Sequence, residues 1–125
     1  MRHQVTTADT AAAIGSGDVP VLATPQLIAW MEAATVRAGA AFLERGQTTV
    51  GTAIRIEHGR ATPVGGSVEI TATPPPDVAG SRLTFKVQAV DGSGNVIAAG
   101  EIDRAIVDRQ RFLGSVSAAD QATDH

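Results

Sequence analysis

The chain has 125 residues, 43% of them hydrophobic and 18% charged, the composition of one globular domain and not of a disordered segment. It has no cysteine, which excludes disulfides, thiolate nucleophiles and cysteine-bound metals. Ten Lys and Arg against thirteen Asp and Glu (net −3), with only 3% aromatic residues, lack the positive footprint and stacking surface of a nucleic-acid binder.

The opening MRHQVTTADT has no apolar stretch of the kind a secretory signal needs, so a cytoplasmic protein is expected, with a short strand near Gln4 to Thr7. Thr24-Pro25 then opens a helix, with Thr24 as the expected N-cap and Pro25 at the first helical position. From Leu27 to Leu43 the chain reads LIAWMEAATVRAGAAFL, with Glu32 and Arg37 as its only charges, and Gly46 is the expected stop. Such a helix is apolar nearly all round and must be covered on most faces. A membrane span is not expected, since two central charges would each cost about 2.5–3.5 kcal/mol.

The rest of the chain is strand-like. In Thr48–Ala61, Val50, Thr52, Ile54 and Ile56 alternate against Thr49, Gly51, Ala53, Arg55 and Glu57. Thr62-Pro63-Val64-Gly65-Gly66 reads as a turn, Ser67–Thr73 as a strand, and Pro74-Pro75-Pro76-Asp77 as a break. Ser81–Val90 alternates strictly, with Leu83, Phe85 and Val87 on one face; Asp91–Asn95 is a hairpin loop, and Val96–Val107 is the last long strand. Beyond Leu113 the sequence GSVSAADQATDH is polar and small, which sets residues 1–113 as the domain and 114–125 as a disordered tail.

One long helix followed by hairpin-linked strands is an α+β layout. The economical cover for the helix is a single antiparallel sheet of about five strands curled around it, the hotdog fold. Its open edge strand needs protection, which edge-to-edge pairing in a homodimer would supply.

Four residues are unusual for their positions. Glu32 sits within the apolar helix, where a carboxylate must be paired, protonated or placed at a water-filled cleft. It either faces outward and pairs with Arg37 or a strand arginine, or serves as a general base or nucleophile. His58 ends the Val50–Glu57 alternation, and counting by twos from Ile54 and Ile56 puts it on the apolar face, as a structural or a proton-transferring group. Capping accounts fully for Thr24, yet its hydroxyl and the free amides of the helix start could also bind a carbonyl or oxyanion. Gly51, among β-branched residues, marks a bulge or a close backbone approach. Thr24 and Glu32 are eight residues apart, roughly 12 Å along a regular helix, so they cannot touch. If they serve one reaction, the substrate bridges them, the first turn is irregular, or two protomers contribute. No histidine or carboxylate pair has ligand spacing, so no metal is expected.

At these positions the chain resembles the fluoroacetyl-CoA thioesterase-like family of hotdog enzymes. The resemblance is carried by Ala23-Thr24, Met31-Glu32, Val50-Gly51-Thr52-Ala53-Ile54, His58, Ala61-Thr62-Pro63 and Arg82-Leu83, with Glu101, Arg104 and Val107 to Phe112 downstream. It spans about Val21 to Phe112. It implies a homodimeric acyl-CoA thioesterase, of a fold whose dimers often pair again into tetramers, with Thr24, Glu32 and His58 as catalytic set and Gly51 close to the thioester. It implies no cofactor beyond the coenzyme A of the substrate, and neither nucleic acid nor membrane as partner. One feature departs: the family's fluorine selectivity is associated with phenylalanines before the helix, and here that segment is IGSGDVPVLATP, with Gly15 and Asp18 at those places. A different or broader small-acyl preference is therefore expected. Arg104, Arg109 and Arg111, with Arg55 and Arg60 behind them, are the candidates for the CoA phosphates. Two other functions fit the same fold: a non-catalytic binder of acyl-CoA or another apolar ligand, and an acyl-thioester dehydratase or hydratase, although the latter's histidine near the helix start is missing.

Overall fold

The structure is a computed structural model that describes residues 1–123, with side chains described for 1–117; His125 and the end of the expected tail lie outside these residues. Five strands, β1 (Arg2–Gln4), β2 (Gln47–His58), β3 (Ser67–Thr73), β4 (Arg82–Asp91) and β5 (Val96–Asp108), form one antiparallel sheet in the order β1-β3-β4-β5-β2. The short helix α1 (Ala11–Ile14) precedes the long helix α2 (Thr24–Gly39), which packs on one face of the curled sheet. This is the expected hotdog arrangement. No helix among the described residues is long and apolar enough to cross a membrane.

The core follows from the strand alternation. Leu83, Phe85 and Val87 of β4 are buried together with Ile70 of β3 and Ile102 of β5, and they meet Leu27 and Met31 of α2. Burying each large apolar side chain contributes about 1.5–3 kcal/mol, so this layer dominates the stabilisation of the protomer. At the far edge, His3 of β1 stacks on Trp30 of α2, with ring centroids 4.2 Å apart and planes 2° from parallel. Nothing in the sequence pattern marked this contact, which fastens the first strand to the helix.

Four expectations are corrected. First, α2 buries one stripe only, Leu27, Met31, Ala34, Thr35 and Gly39, while Ala29, Ala33, Val36 and Ala40 on its opposite side are exposed in the protomer. Second, α2 stops at Gly39 and tightens into a 3-10 turn at Ala40–Phe42. Gly39 is packed against the sheet, where a Cβ would sit 3.1 Å from the Phe85 ring, and Gly46 (φ +84°) serves the turn into β2 and not the end of the helix. Third, the chain beyond Leu113 continues as helix α3 (Arg109–Thr123), begun when the Asp108 side chain accepts from the Arg111 amide at 2.9 Å. A small polar composition that reads as fraying is equally compatible with a helix once a cap starts it.

Fourth, β2 does not alternate uniformly. Gly51 pairs with Arg104 and Ala53 with Asp103, leaving Thr52 as a bulge. Cross-strand partners share a face, so Thr49 and Gly51 lie on the helix side before the bulge, and Ile54, Ile56 and His58 lie there after it. On the other face, Arg55 holds Asp103 at 2.9 Å and Glu101 at 3.2 Å, and Thr84 also donates to Asp103. Arg55, followed by Thr84, holds the Asp103 carboxyl down to about 2.

Of the glycines in the sheet, Gly100, between Ile56 of β2 and Val87 of β4, has the least room. A Cβ there would run into the Arg55 carbonyl and the Ile56 backbone. Main chain cannot give way as a side-chain tip can, so Gly100→Ala should cost at least about 3 kcal/mol. Thermal unfolding should then show a Tm lower by roughly 10 °C or more.

Candidate active site

The polar groups facing the α2 side of the sheet form two clusters. The first is at the start of α2. Ala23, not Thr24, is the N-cap: it is extended (φ −71°, ψ 137°), its carbonyl accepts from the Leu27 amide at 3.0 Å, and its own amide donates to the Asp9 carbonyl at 2.9 Å. Thr24 is thereby the first helical residue, and its side chain caps nothing. Its Oγ1 lies 2.8 Å from His58 Nδ1, in a hydrogen bond whose direction follows the ring tautomer.

His58 is placed by the end of β2. After it the Gly59 and Arg60 amides both donate to the Ile97 carbonyl, at 3.0 and 3.3 Å, turning the chain away and leaving the ring facing α2. The other ring nitrogen, Nε2, is buried and has no partner among the described residues. Burial pushes the imidazole below its ordinary 6.5, opposed by a backbone hydrogen bond at Arg60. The pair opens onto a cavity of about 280 Å³.

The second cluster lies two helical turns further along. Glu32 Oε2 is 3.5 Å from Arg104 Nη1, and its side chain keeps 38% of its exposure. Arg104 is buried (7%) and spends its remaining donors on Thr49, with Nε 2.9 Å from the hydroxyl and Nη2 3.1 Å from the carbonyl. Gly51 closes the cluster: a Cβ there would meet Glu32 Oε2 at 2.9 Å and Arg104 Nη1 at 3.4 Å. Both anticipated features of Gly51, a bulge and a close approach, are present at this one position.

Glu32 thus pairs with a strand arginine and not with Arg37. Arg104, expected at a CoA phosphate, is turned inward with its fork occupied; Arg55 is likewise held by Glu101 and Asp103. In each case the guanidinium faces a carboxylate of its own protomer. Arg109 and Arg111, in the first turn of α3, and Arg60, 3.9 Å from Asp91, are exposed. Sequence reasoning missed Thr49, whose role depends on the bulge that turns it toward the helix. Among the described residues no three His, Asp or Glu side chains gather as metal ligands.

Residues 5–110 match the sequence profile of a family described as fluoroacetyl-CoA-specific thioesterase (FlK). The chain is 41% identical, over 96 residues, to a fluoroacetyl-CoA thioesterase from Streptantibioticus cattleyicolor, covering 77% of this chain and 68% of that protein. Among solved structures it is similar to a variant of the fluoroacetyl-CoA-specific thioesterase FlK in complex with fluoroacetate and CoA (33% identity, TM-score 0.85, covering 95% of this chain and 96% of that one). It also shares its fold with a thioesterase superfamily member from Thermus thermophilus (23% identity, TM-score 0.90, covering 99% and 90%).

The lowered His58 value has a definite sign. The folded state disfavours the imidazolium, so the ring is neutral at pH 7, and stability is lost as pH falls below 6.5 toward the folded value. NMR of the His58 imidazole should give a midpoint below 6.5, and Thr24→Val, which removes the hydroxyl contact, should move that midpoint.

Proposed function

The chain belongs to the fluoroacetyl-CoA-specific thioesterase family, and from that membership we propose that it hydrolyses a small acyl-CoA thioester to the free acid and coenzyme A, at a site shared by two copies of the chain. The observation that carries this reading is the Thr24–His58 contact: a helix-start hydroxyl released from capping, held 2.8 Å from a ring that burial keeps neutral.

Thioester hydrolysis needs an oxygen nucleophile relieved of its proton and donors for the oxyanion that forms. Neutral His58 takes the proton from the attacking oxygen, whether that oxygen belongs to water or to Thr24. The N-terminal end of α2, where Thr24 sits, supplies the positive pole that favours the developing charge. Glu32 is the second base, its carboxylate held by Arg104 against Gly51 yet over a third exposed, so a water can reach it. No cofactor enters beyond the coenzyme A that the substrate carries.

Within one protomer Glu32 is too far along the helix to join Thr24 and His58, roughly 12 Å by rise alone. Strand β2 offers the solution. It is an edge strand of 12 residues, free on one side among the described residues. Antiparallel pairing of β2 with β2 of a second copy reverses its ends, bringing His58 of one beside the Gly51 end of the other. A homodimer built this way completes two equivalent sites. Arg109 and Arg111 start α3 next to the same edge, since the Arg109 amide donates to the Gly46 carbonyl, and they are the proposed contacts to CoA phosphates.

A thiol-release assay over acetyl-, fluoroacetyl- and larger acyl-CoA substrates tests the reading. Hydrolysis is expected, with fluoroacetyl-CoA not far ahead of acetyl-CoA, because Gly15 and Asp18 stand where the family's selectivity is associated with phenylalanines. Glu32→Gln should lower kcat by about 10²–10⁴-fold while acyl-CoA binding survives. Gly51→Ala, whose methyl displaces the tip of Glu32, should lower kcat at least about tenfold with Tm nearly unchanged. A wild-type chain that binds acyl-CoA and releases no thiol would make it a binder.

A further inference from the structure

The cavity beside Thr24 and His58 is larger than a two-carbon acyl group needs. It holds about 280 Å³, and Ala11, Ser16, Val19 and Val21 line it together with the catalytic pair, with no Phe, Tyr or Trp in the lining. A six-carbon ring fits an enclosed cavity of about 150 Å³, and this pocket, open to solvent on one side in the protomer, offers a bed for an acyl body of that order beside the thioester carbonyl.

Its size is set by main chain. Helix α1 ends at Gly15 in the left-handed region (φ +89°), where a Cβ would be strained, and the chain folds back over the cavity. The Ser16 amide donates to the Ala11 carbonyl at 3.1 Å, the Ala12 amide to Val19 at 3.1 Å and the Ala11 amide to Val21 at 2.8 Å. Gly17 lies so close that its Cβ would be 3.3 Å from that of Ala11. The rim is therefore tethered at three points, and small side chains, not a movable gate, define its width.

Its chemistry is apolar. Ala11, Val19, Val21, Leu22 and Ala61 supply most of the wall. The one charged side chain in the lining is Arg60, which is 60% exposed and 3.9 Å from Asp91. It stands at the mouth with an acidic neighbour, so the interior offers no counter-charge for a second carboxylate.

Resting on the thioesterase reading above, we propose that this cavity receives the acyl group and selects apolar acyl chains of about four to seven carbons, branched or aryl included, over acetyl and over dicarboxylic acyl groups, with Ser16 and Val19 setting the upper limit. Each methylene buried there is worth about fourfold in kcat/KM.

The test measures kcat/KM for acetyl-, isovaleryl-, benzoyl- and succinyl-CoA. It is paired with calorimetric binding of the matching non-hydrolysable S-alkyl-CoA thioethers, which reports on the cavity independently of turnover. Isovaleryl- or benzoyl-CoA should exceed both acetyl- and succinyl-CoA at least tenfold, and thioether affinity should rise with chain length. Val19→Phe, or Ser16→Phe should the first fail to fold, should reduce the isovaleryl-to-acetyl ratio at least fivefold. Equal or better use of acetyl- or succinyl-CoA, an unchanged ratio in a folded Phe variant, or thioether binding indifferent to length would each overturn the proposal. Length-dependent thioether binding without any thiol release would uphold the cavity's role and defeat the hydrolase reading alone.

Discussion

A straight helix cannot bring together two residues spaced two turns apart, and that rigidity governs this molecule. Thr24 begins α2 and Glu32 lies eight residues on, roughly 12 Å away along the axis. The edge strand repeats the separation, with Gly51 beside Glu32 and His58 beside Thr24. Each protomer thus presents two half-sites, a hydroxyl with an imidazole and a carboxylate with a guanidinium, held apart by the length of α2 and of the strand beside it. Packing of Leu27 and Met31 against Phe85 and Ile102 keeps α2 in place, so the core itself enforces the separation.

Each half-site takes its shape from a break in regular structure. At Thr52 one unpaired residue in β2 shifts the side-chain phase, turning Thr49 and Gly51 toward the helix while leaving Ile56 and His58 there too. Without it, either Gly51 or His58 would face away. At Ala23 the backbone N–H donates a hydrogen bond to the Asp9 carbonyl, the cap falls one residue earlier, and the Thr24 hydroxyl is left free. Both departures leave local structure less regular than the sequence could support, which is the usual state of residues committed to chemistry.

What could be read in advance was whatever depends on local periodicity. The strands at Ser67–Thr73, Arg82–Asp91 and Val96–Asp108 follow from alternation and bounding turns, and the buried set Leu83, Phe85, Val87 falls where period two places it. Glu32, Gly51 and His58 stood out because each is an odd residue for its surroundings. Features fixed by distant partners were not legible. Thr24 looked like an ordinary cap because nothing local reveals the Ala23–Asp9 bond. Arg104 looked like a surface cation because its contacts with Thr49 and Glu32 span 55 and 72 residues of sequence. The absence of a side chain at Gly39 answers to a phenylalanine ring on the third strand after the helix, and the helix after Asp108 begins with a cap that the polar composition of the segment hides.

The central claim is that one reaction centre draws Glu32 from one copy of the chain and Thr24 with His58 from another. Mixing Glu32→Gln protein with His58→Ala protein, each inactive by itself, and letting subunits exchange tests it most directly. Random assortment makes half the dimers mixed, and each mixed dimer would hold one intact centre of two, so thiol release should recover to roughly a quarter of wild type. If mixed dimers form, as seen by native mass spectrometry, and no activity returns, the centre lies within a single protomer and the claim is contradicted.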